Sequence, residues 1–181
     1  MRDATVTKLS VQVHQDTGTI VVKNDGKGIP VKKMRVNGTD EELWTPAVIM
    51  SRMLSGSNFD ESESAAGLKP RYTGGRNGLG AKLTGILSTR FSVDTCDADE
   101  KKRFRQTWTN GLRTTAGESV TEFSKDKGGT TITYTPDYAW FGMPGLTDDA
   151  VALIRTRVLT SAAGNTARPV AVEWVHGALN T

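Results

Sequence analysis

The chain has 181 residues, of which 36% are apolar and 24% charged, with a formal net charge of +3. That length sustains one domain with a real core, without disulfides or a structural metal. The lone Cys96 rules out an internal disulfide and a thiolate zinc cluster, which fits a reducing compartment. No apolar run approaches the ~20 residues of a membrane-spanning helix, and Met1-Arg2-Asp3-Ala4-Thr5 shows no secretory pattern, so neither a membrane nor a secretory signal is expected.

In chain order, Leu9, Val11 and Val13 alternate with polar residues, Asp16-Thr17-Gly18 turns the chain, and Thr19 to Val22 is β-branched. Residues 6–24 therefore read as a hairpin that runs into Asn24-Asp25-Gly26-Lys27-Gly28-Ile29-Pro30. Thr45 as N-cap and Pro46 at the first helical position open a short helix over 46–54. Ser55 to Gly80 is too long for an ordinary connection and reads as a functional loop. A helix over 81–88 follows, with Leu83, Ile86 and Leu87. Strands are expected at 90–96, 103–109, 112–116 and 130–135, with Asn110-Gly111 as a hairpin turn. The basic run Lys101-Lys102-Arg103-Phe104-Arg105 falls on one of these strands and reads as a solvated face rather than a nucleic-acid site. Thr147-Asp148-Asp149 opens an amphipathic helix to about residue 160, with Val151, Ile154, Val158 and Leu159 on one face. Pro169 to Val175 is a last strand. With no repeat and no linker, one α+β domain over 1–181 is expected, a mixed sheet with helices on one face.

Two glycine loops carry the chemistry. Thr73-Gly74-Gly75-Arg76-Asn77-Gly78-Leu79-Gly80-Ala81-Lys82 can turn its amides onto a polyphosphate and leads into a helix, with Lys82 as an added charge. A Walker loop is excluded because Ala81 separates Gly80 from Lys82 and Leu83 follows; the Rossmann order fails because Leu83 stands at its third glycine. In the first loop, Asn24 can accept from an exocyclic amine, while Gly26 and Gly28 leave room for a flat ring, which suits adenine. Either loop alone is also ordinary turn chemistry. His14, His176 and the four tryptophans have no site-like spacing.

The segments NDGKGIPV (24–31), LSGSNFD (54–60), TGGRNGLGAKL (73–83) and TPDYAWFGM (135–143) together resemble the GHKL superfamily of ATPases, and within it eukaryotic-type topoisomerase II. The resemblance implies a Bergerat ATP-binding sandwich. It places Asn24, Gly28 and Thr130 at adenine, Ser57 and Asn58 at ribose and phosphate, and Arg76, Asn77, Gly78, Leu79, Gly80, Ala81 and Lys82 at the triphosphate. For Thr130 an ordinary strand residue is an equal reading.

The sequence departs from the family in having Asn24-Asp25 for Asn-Asn and Ser55-Gly56-Ser57 for Ser-Ser. The family's Glu-x-x-x-Asn helix, which supplies the general base and holds magnesium, has no match, so the sandwich is expected to be incomplete at its N-terminus, with no catalytic or metal residue of its own. The resemblance further implies ATP and Mg2+ as ligands and a homodimeric parent enzyme that acts on DNA in the nucleus, or in the mitochondrion for an organellar isoform. The fragment itself is expected to be a monomer. A non-catalytic binding module and another GHKL enzyme (chaperone, mismatch-repair or histidine-kinase type) are the alternatives.

Overall fold

A computed structural model describes residues 5–36, 39–52, 78–163 and 170–177. The strands are β1 (Lys8–His14), β2 (Thr19–Asn24), β3 (Lys33–Arg35), β4 (Glu42–Trp44), β5 (Ser88–Asp97), β6 (Lys102–Thr109), β7 (Thr114–Glu122), β8 (Gly129–Pro136) and β9 (Ala171–His176). The helices are α1 (Thr45–Ser51), α2 (Gly80–Ile86) and α3 (Asp148–Ala163). Seven strands form one sheet in the order β7-β6-β5-β8-β2-β1-β9, and β3 and β4 form a separate pair. β9 runs parallel to β1, and the other neighbours in the large sheet are antiparallel, so the sheet is mixed.

The expected first hairpin is present, with Leu9 opposite Asn24 and His14 opposite Thr19. Its turn needs glycine at position 18, which sits at φ +64°, where an added Cβ would lie 2.4 Å from the Tyr138 ring. The Tyr138 hydroxyl donates to the Gly18 carbonyl at 2.7 Å, tying the turn to the segment after β8.

Because side chains alternate along a strand, register decides which residues share a face. Val11 lies opposite Val22, Val22 opposite Ile132, Ile132 opposite Val93, and Val93 opposite Gln106. All these residues point to one side, which the helices cover. α1 lays Ala47 and Met50 over Val31, Phe91, Val93, Phe104 and Trp108. α3 lays Val151, with Ile154 and Val158 beside it, over Val11, Val13 and Ile20. Both helix–sheet cores thus form on the same face, as the sequence pattern implies.

The structure differs from the expectations in several places. Thr45 is not the N-cap of α1; Trp44 is, and no side chain caps the helix. The Thr45 hydroxyl donates instead to the Lys32 carbonyl at 2.9 Å, joining the helix to the β3–β4 pair. α1 is described to Ser51, and positions 53 and 54 lie outside the described residues. Leu159 is 52% exposed and leaves the α3 core; eight positions beyond Val151, it is rotated roughly 80° around the helix from that residue. Asn110-Gly111 belongs to a four-residue loop closed by the Thr109–Thr114 pair, with Leu112 also at positive φ. β7 runs to Glu122 rather than to 116, with only Val120 withdrawn from solvent.

The 0% exposure of Phe104, at the centre of the α1-side core, sets a test of this packing. Phe104→Ala is expected to lower unfolding stability by about 3–5 kcal/mol, measured by urea denaturation.

Candidate functional site

Asn24 ends β2, and register places it opposite Thr130, which lies opposite Thr95 on β5. These three polar side chains make one row on the covered face, which otherwise holds mainly apolar residues with buried Gln106 and Asp97 among them. Thr95 is fully buried and its hydroxyl sits at the crossing: it accepts the Ile29 amide at 2.9 Å and meets the Thr130 hydroxyl at 2.9 Å. Two residues further along β5, buried Asp97 accepts the Val31 amide at 2.8 Å through one oxygen. Its other oxygen accepts the Asp99 and Glu100 amides at 3.0 and 3.1 Å. Alternate amides of the loop after β2 are therefore pinned to alternate residues of β5.

Sequence reasoning missed Thr95 and Asp97. The signal was present: both continue the phase of Phe91 and Val93, so they are polar residues at core positions of a strand, where burial demands a partner.

The glycines of this end answer to backbone packing. An added Cβ at Gly28 (φ +86°) would come 2.1 Å from the Cys96 carbonyl oxygen, and one at Gly128 would come 2.3 Å from the same atom. At Gly129 it would meet the Asn24 carbonyl oxygen at 2.7 Å. Gly28 was expected to leave room for a flat ring; its missing side chain instead admits the β5 backbone. Asn24 Oδ1 accepts the Gly26 amide at 3.3 Å, a long local bond, and its amide nitrogen has no acceptor among the described residues.

Asp25, the departure from the family's asparagine, points away from this row. Its carboxylate accepts from the amides of Thr7 and Lys8 at 2.8 Å each, from the Thr7 hydroxyl, and from Lys127 at 2.6 Å. Burial works to raise its pKa, but the hydrogen bonds from Lys127, Thr7 and the amides of Lys8 and Thr7 outweigh it and hold the carboxyl well below its ordinary value of 3.8.

The second part of the site is the start of α2. Gly78 has φ +62°, and a Cβ at Gly80 would meet nothing within 4 Å among the described residues. Leu79 is the N-cap and no side chain caps the helix. Lys82 is only 2% exposed, and its ammonium donates to the Gly78 carbonyl at 2.7 Å. No carboxylate among the described residues pairs with it, and burial lowers its pKa. A buried cation with spare donors and no counter-ion suits an anion at this helix start.

The structure thus brings Asn24, Gly28 and Thr130 together around Thr95, and gathers Gly78, Leu79, Gly80, Ala81 and Lys82 at α2, which packs on α1, β5 and β8. Ser57, Asn58, Arg76 and Asn77 lie outside the described residues. Among the described residues, no group of three or more His, Cys, Asp or Glu side chains is placed to hold a metal. Of the residues read as structural, Trp108 is core, Trp140 is exposed, and His176 bonds Gln15 at 2.8 Å.

The class follows from comparison with solved structures. The chain matches the ATPase region of Saccharomyces cerevisiae topoisomerase II with a TM-score of 0.82 and 32% identity, over 99% of this chain and 44% of that one. Its fold is the GHKL ATP-binding sandwich, α+β with a mixed sheet. Among sequence relatives, DNA topoisomerase 2 of Penicillium chrysogenum is 36% identical over 156 residues, 86% of this chain and 9% of that protein. DNA topoisomerase 2-alpha of Gallus gallus is 39% identical over 156 residues, 86% of this chain and 9% of that protein. The chain is homologous to the ATPase region of eukaryotic-type DNA topoisomerase II, and it spans about a tenth of the length of these curated relatives. No family model matches it.

Two outcomes follow from the site's internal bonds. Thr95→Val keeps the shape but strands the Ile29 amide, and is expected to cost about 1–3 kcal/mol by urea denaturation. For Asp25, a depressed folded pKa means that its stabilisation is present above the ordinary value of 3.8 and is lost as pH falls through the folded value. Asp25→Asn is therefore expected to be less stable by about 1–2 kcal/mol at neutral pH, with the difference shrinking as the pH is taken below about 3.8.

Proposed function

We propose that these residues form the nucleotide-binding subdomain of an ATP-dependent type II DNA topoisomerase. Adenine would lie at the Asn24–Thr130 end and the triphosphate at the start of α2. The observation that carries this reading is Lys82, a buried cation without a carboxylate partner among the described residues, at a helix start bordered by glycines. A lysine in that state costs folding free energy and is retained where an anion compensates it.

In this reading the residues have distinct tasks. The Asn24 side-chain amide orients the purine, and Thr130, held through Thr95, offers its hydroxyl beside it. Open amides from Gly78 to Ala81 and the Lys82 ammonium neutralise phosphate charge, with Arg76 and Asn77 preceding them in sequence. Ser57 and Asn58 are assigned to ribose and phosphate by the family resemblance. Bound ATP supplies the phosphoryl bond whose hydrolysis drives the parent enzyme, and magnesium would be carried chiefly by the phosphates.

The parent enzyme is read as an isomerase that passes one DNA duplex through a transient break in another, as a homodimer and in the nucleus, the setting that goes with its eukaryotic relatives. The 181 residues taken by themselves have no match to the family's Glu-x-x-x-Asn motif. Alone they are proposed to be monomeric and to bind nucleotide with negligible turnover.

Calorimetry with a non-hydrolysable ATP analogue and Mg2+ tests the reading. The chain is expected to bind, with Asn24→Ala and Lys82→Ala each weakening affinity by at least about tenfold, or ~1.4 kcal/mol. Wild-type affinity in both folded variants, or no binding by the parent sequence, would overturn it. Steady-state ATP hydrolysis at ordinary enzyme rates would overturn the proposed inactivity alone.

A further inference from the structure

A hydroxyl carries a single proton, and that limit decides what the buried threonine pair can offer a ligand. Thr95, fully buried on β5, is met from three directions. The Ile29 amide, which can only donate, lies at 2.9 Å. The Gly129 carbonyl, which can only accept, lies at 3.2 Å. The Thr130 hydroxyl, which can do either, lies at 2.9 Å. A single assignment makes every one of these bonds. The Thr95 proton goes to the Gly129 carbonyl, its lone pairs take the Ile29 amide and the Thr130 proton, and Thr130 is the donor of the pair. With the pair reversed, Thr95 donating to Thr130, the bond to the Gly129 carbonyl is forfeited.

The consequence falls on Thr130. Its proton is committed to Thr95, and no other group among the described residues bonds its hydroxyl. It is buried and stands opposite Asn24 in register, so towards a base placed beside Asn24 it presents lone pairs and no proton. We infer, resting on the nucleotide reading above, that Thr95 sets base selection in this site without touching the ligand. By holding Thr130 as a pure acceptor it favours a purine with an amino group at C6 and disfavours one with an oxo group there. Thr95 is thus a positioning residue, and the Thr130 hydroxyl oxygen is the atom that discriminates.

Asn24 does not supply this choice. A side-chain amide holds a donor and an acceptor side by side, so it matches the amino edge of adenine one way round and the oxo edge of hypoxanthine when turned over. Against that turn stands the Gly26 amide, which Asn24 Oδ1 accepts at a long 3.3 Å. Thr130 lacks this freedom. To turn its proton outward, Thr95 has to surrender its bond to the Gly129 carbonyl, and in a buried network an unmade bond is costly.

Calorimetry on the full chain, with the β,γ-imido triphosphates of adenosine and inosine and Mg2+, tests the inference. The two probes differ at C6 and N1 of the base. The wild-type chain is expected to bind the adenosine form at least about tenfold more tightly. Thr95→Val frees the Thr130 proton, so the inosine form should bind more tightly than it does to the wild type, and the preference should shrink to within about threefold. Damage to the site would weaken both probes and tighten neither. Thr95→Ser, which keeps the hydroxyl, should restore the wild-type preference. Thr130→Val should close the same gap by weakening the adenosine form alone, and it decides the matter if melting curves show Thr95→Val to be unfolded. Equal binding of both probes by the wild type overturns the inference and leaves the nucleotide reading standing. So does an unchanged preference in a folded Thr95→Val or in Thr130→Val, or a Thr95→Ser that behaves like the valine variant. Binding of neither probe by the wild type overturns the nucleotide reading and this inference with it.

Discussion

Everything in this structure depends on the register of β8 between β2 and β5. With Asn24 opposite Thr130 and Thr130 opposite Thr95, the polar row faces the helices. A slip of one residue would turn Thr130 to the open side and present Thr131 instead. The register is locked by glycine contacts at the entry to β8. Gly128 lies against the Cys96 and Lys27 carbonyls and Gly129 against the Asn24 carbonyl, at distances that admit no side chain. A slipped strand would bring a threonine into that space, so steric exclusion sets the geometry of the polar row.

The two halves of the site are held by opposite physics. At the β2 loop, buried polar groups are satisfied: the Thr95 hydroxyl accepts the Ile29 amide, donates to the Gly129 carbonyl and meets the Thr130 hydroxyl, and the two Asp97 oxygens accept three further amides. Such a network rigidifies the loop. At α2 the reverse holds, because Lys82 is buried with a carbonyl for company and no counter-charge among the described residues. In the reading proposed above, a region pre-formed at β2 and electrostatically unfinished at α2 suits a ligand whose flat, weakly charged part docks on a fixed surface and whose anionic part completes the charge balance.

Much of this was legible in the sequence, and the rest was hidden for physical reasons. The hairpin of β1 and β2 showed itself because its helix-covered face is apolar while the other face carries polar residues, among them the buried Ser10 and His14, which writes alternation into Leu9, Val11 and Val13. β7 showed itself only as far as residue 116, because almost every residue in it is exposed and no alternation is imposed on the rest. The β3–β4 pair is three residues a strand, too short for any periodic signal. Thr45 looked like an N-cap because its type fits, but the Lys32 carbonyl, distant in sequence, claims its hydroxyl. Gly28 stands out in the sequence for its conformational freedom, but no local pattern reveals that the Cys96 carbonyl packs against it. Thr95 and Asp97 could have been found by asking which core-phase positions of a strand hold polar residues.

Residue 25 shows how far alternation alone carries an interpretation. It follows Asn24 directly, so its side chain leaves the sheet on the other side, where Thr7, Lys8 and Lys127 receive it. The change from the family's asparagine to aspartate therefore alters no atom facing the polar row. It exchanges a neutral side chain for an anion that binds the start of β1 to Lys127, in the segment between β7 and β8. A departure that looks like damage to a binding motif in one dimension becomes, once the strand assigns its direction, a clamp that holds the motif's two supporting segments together.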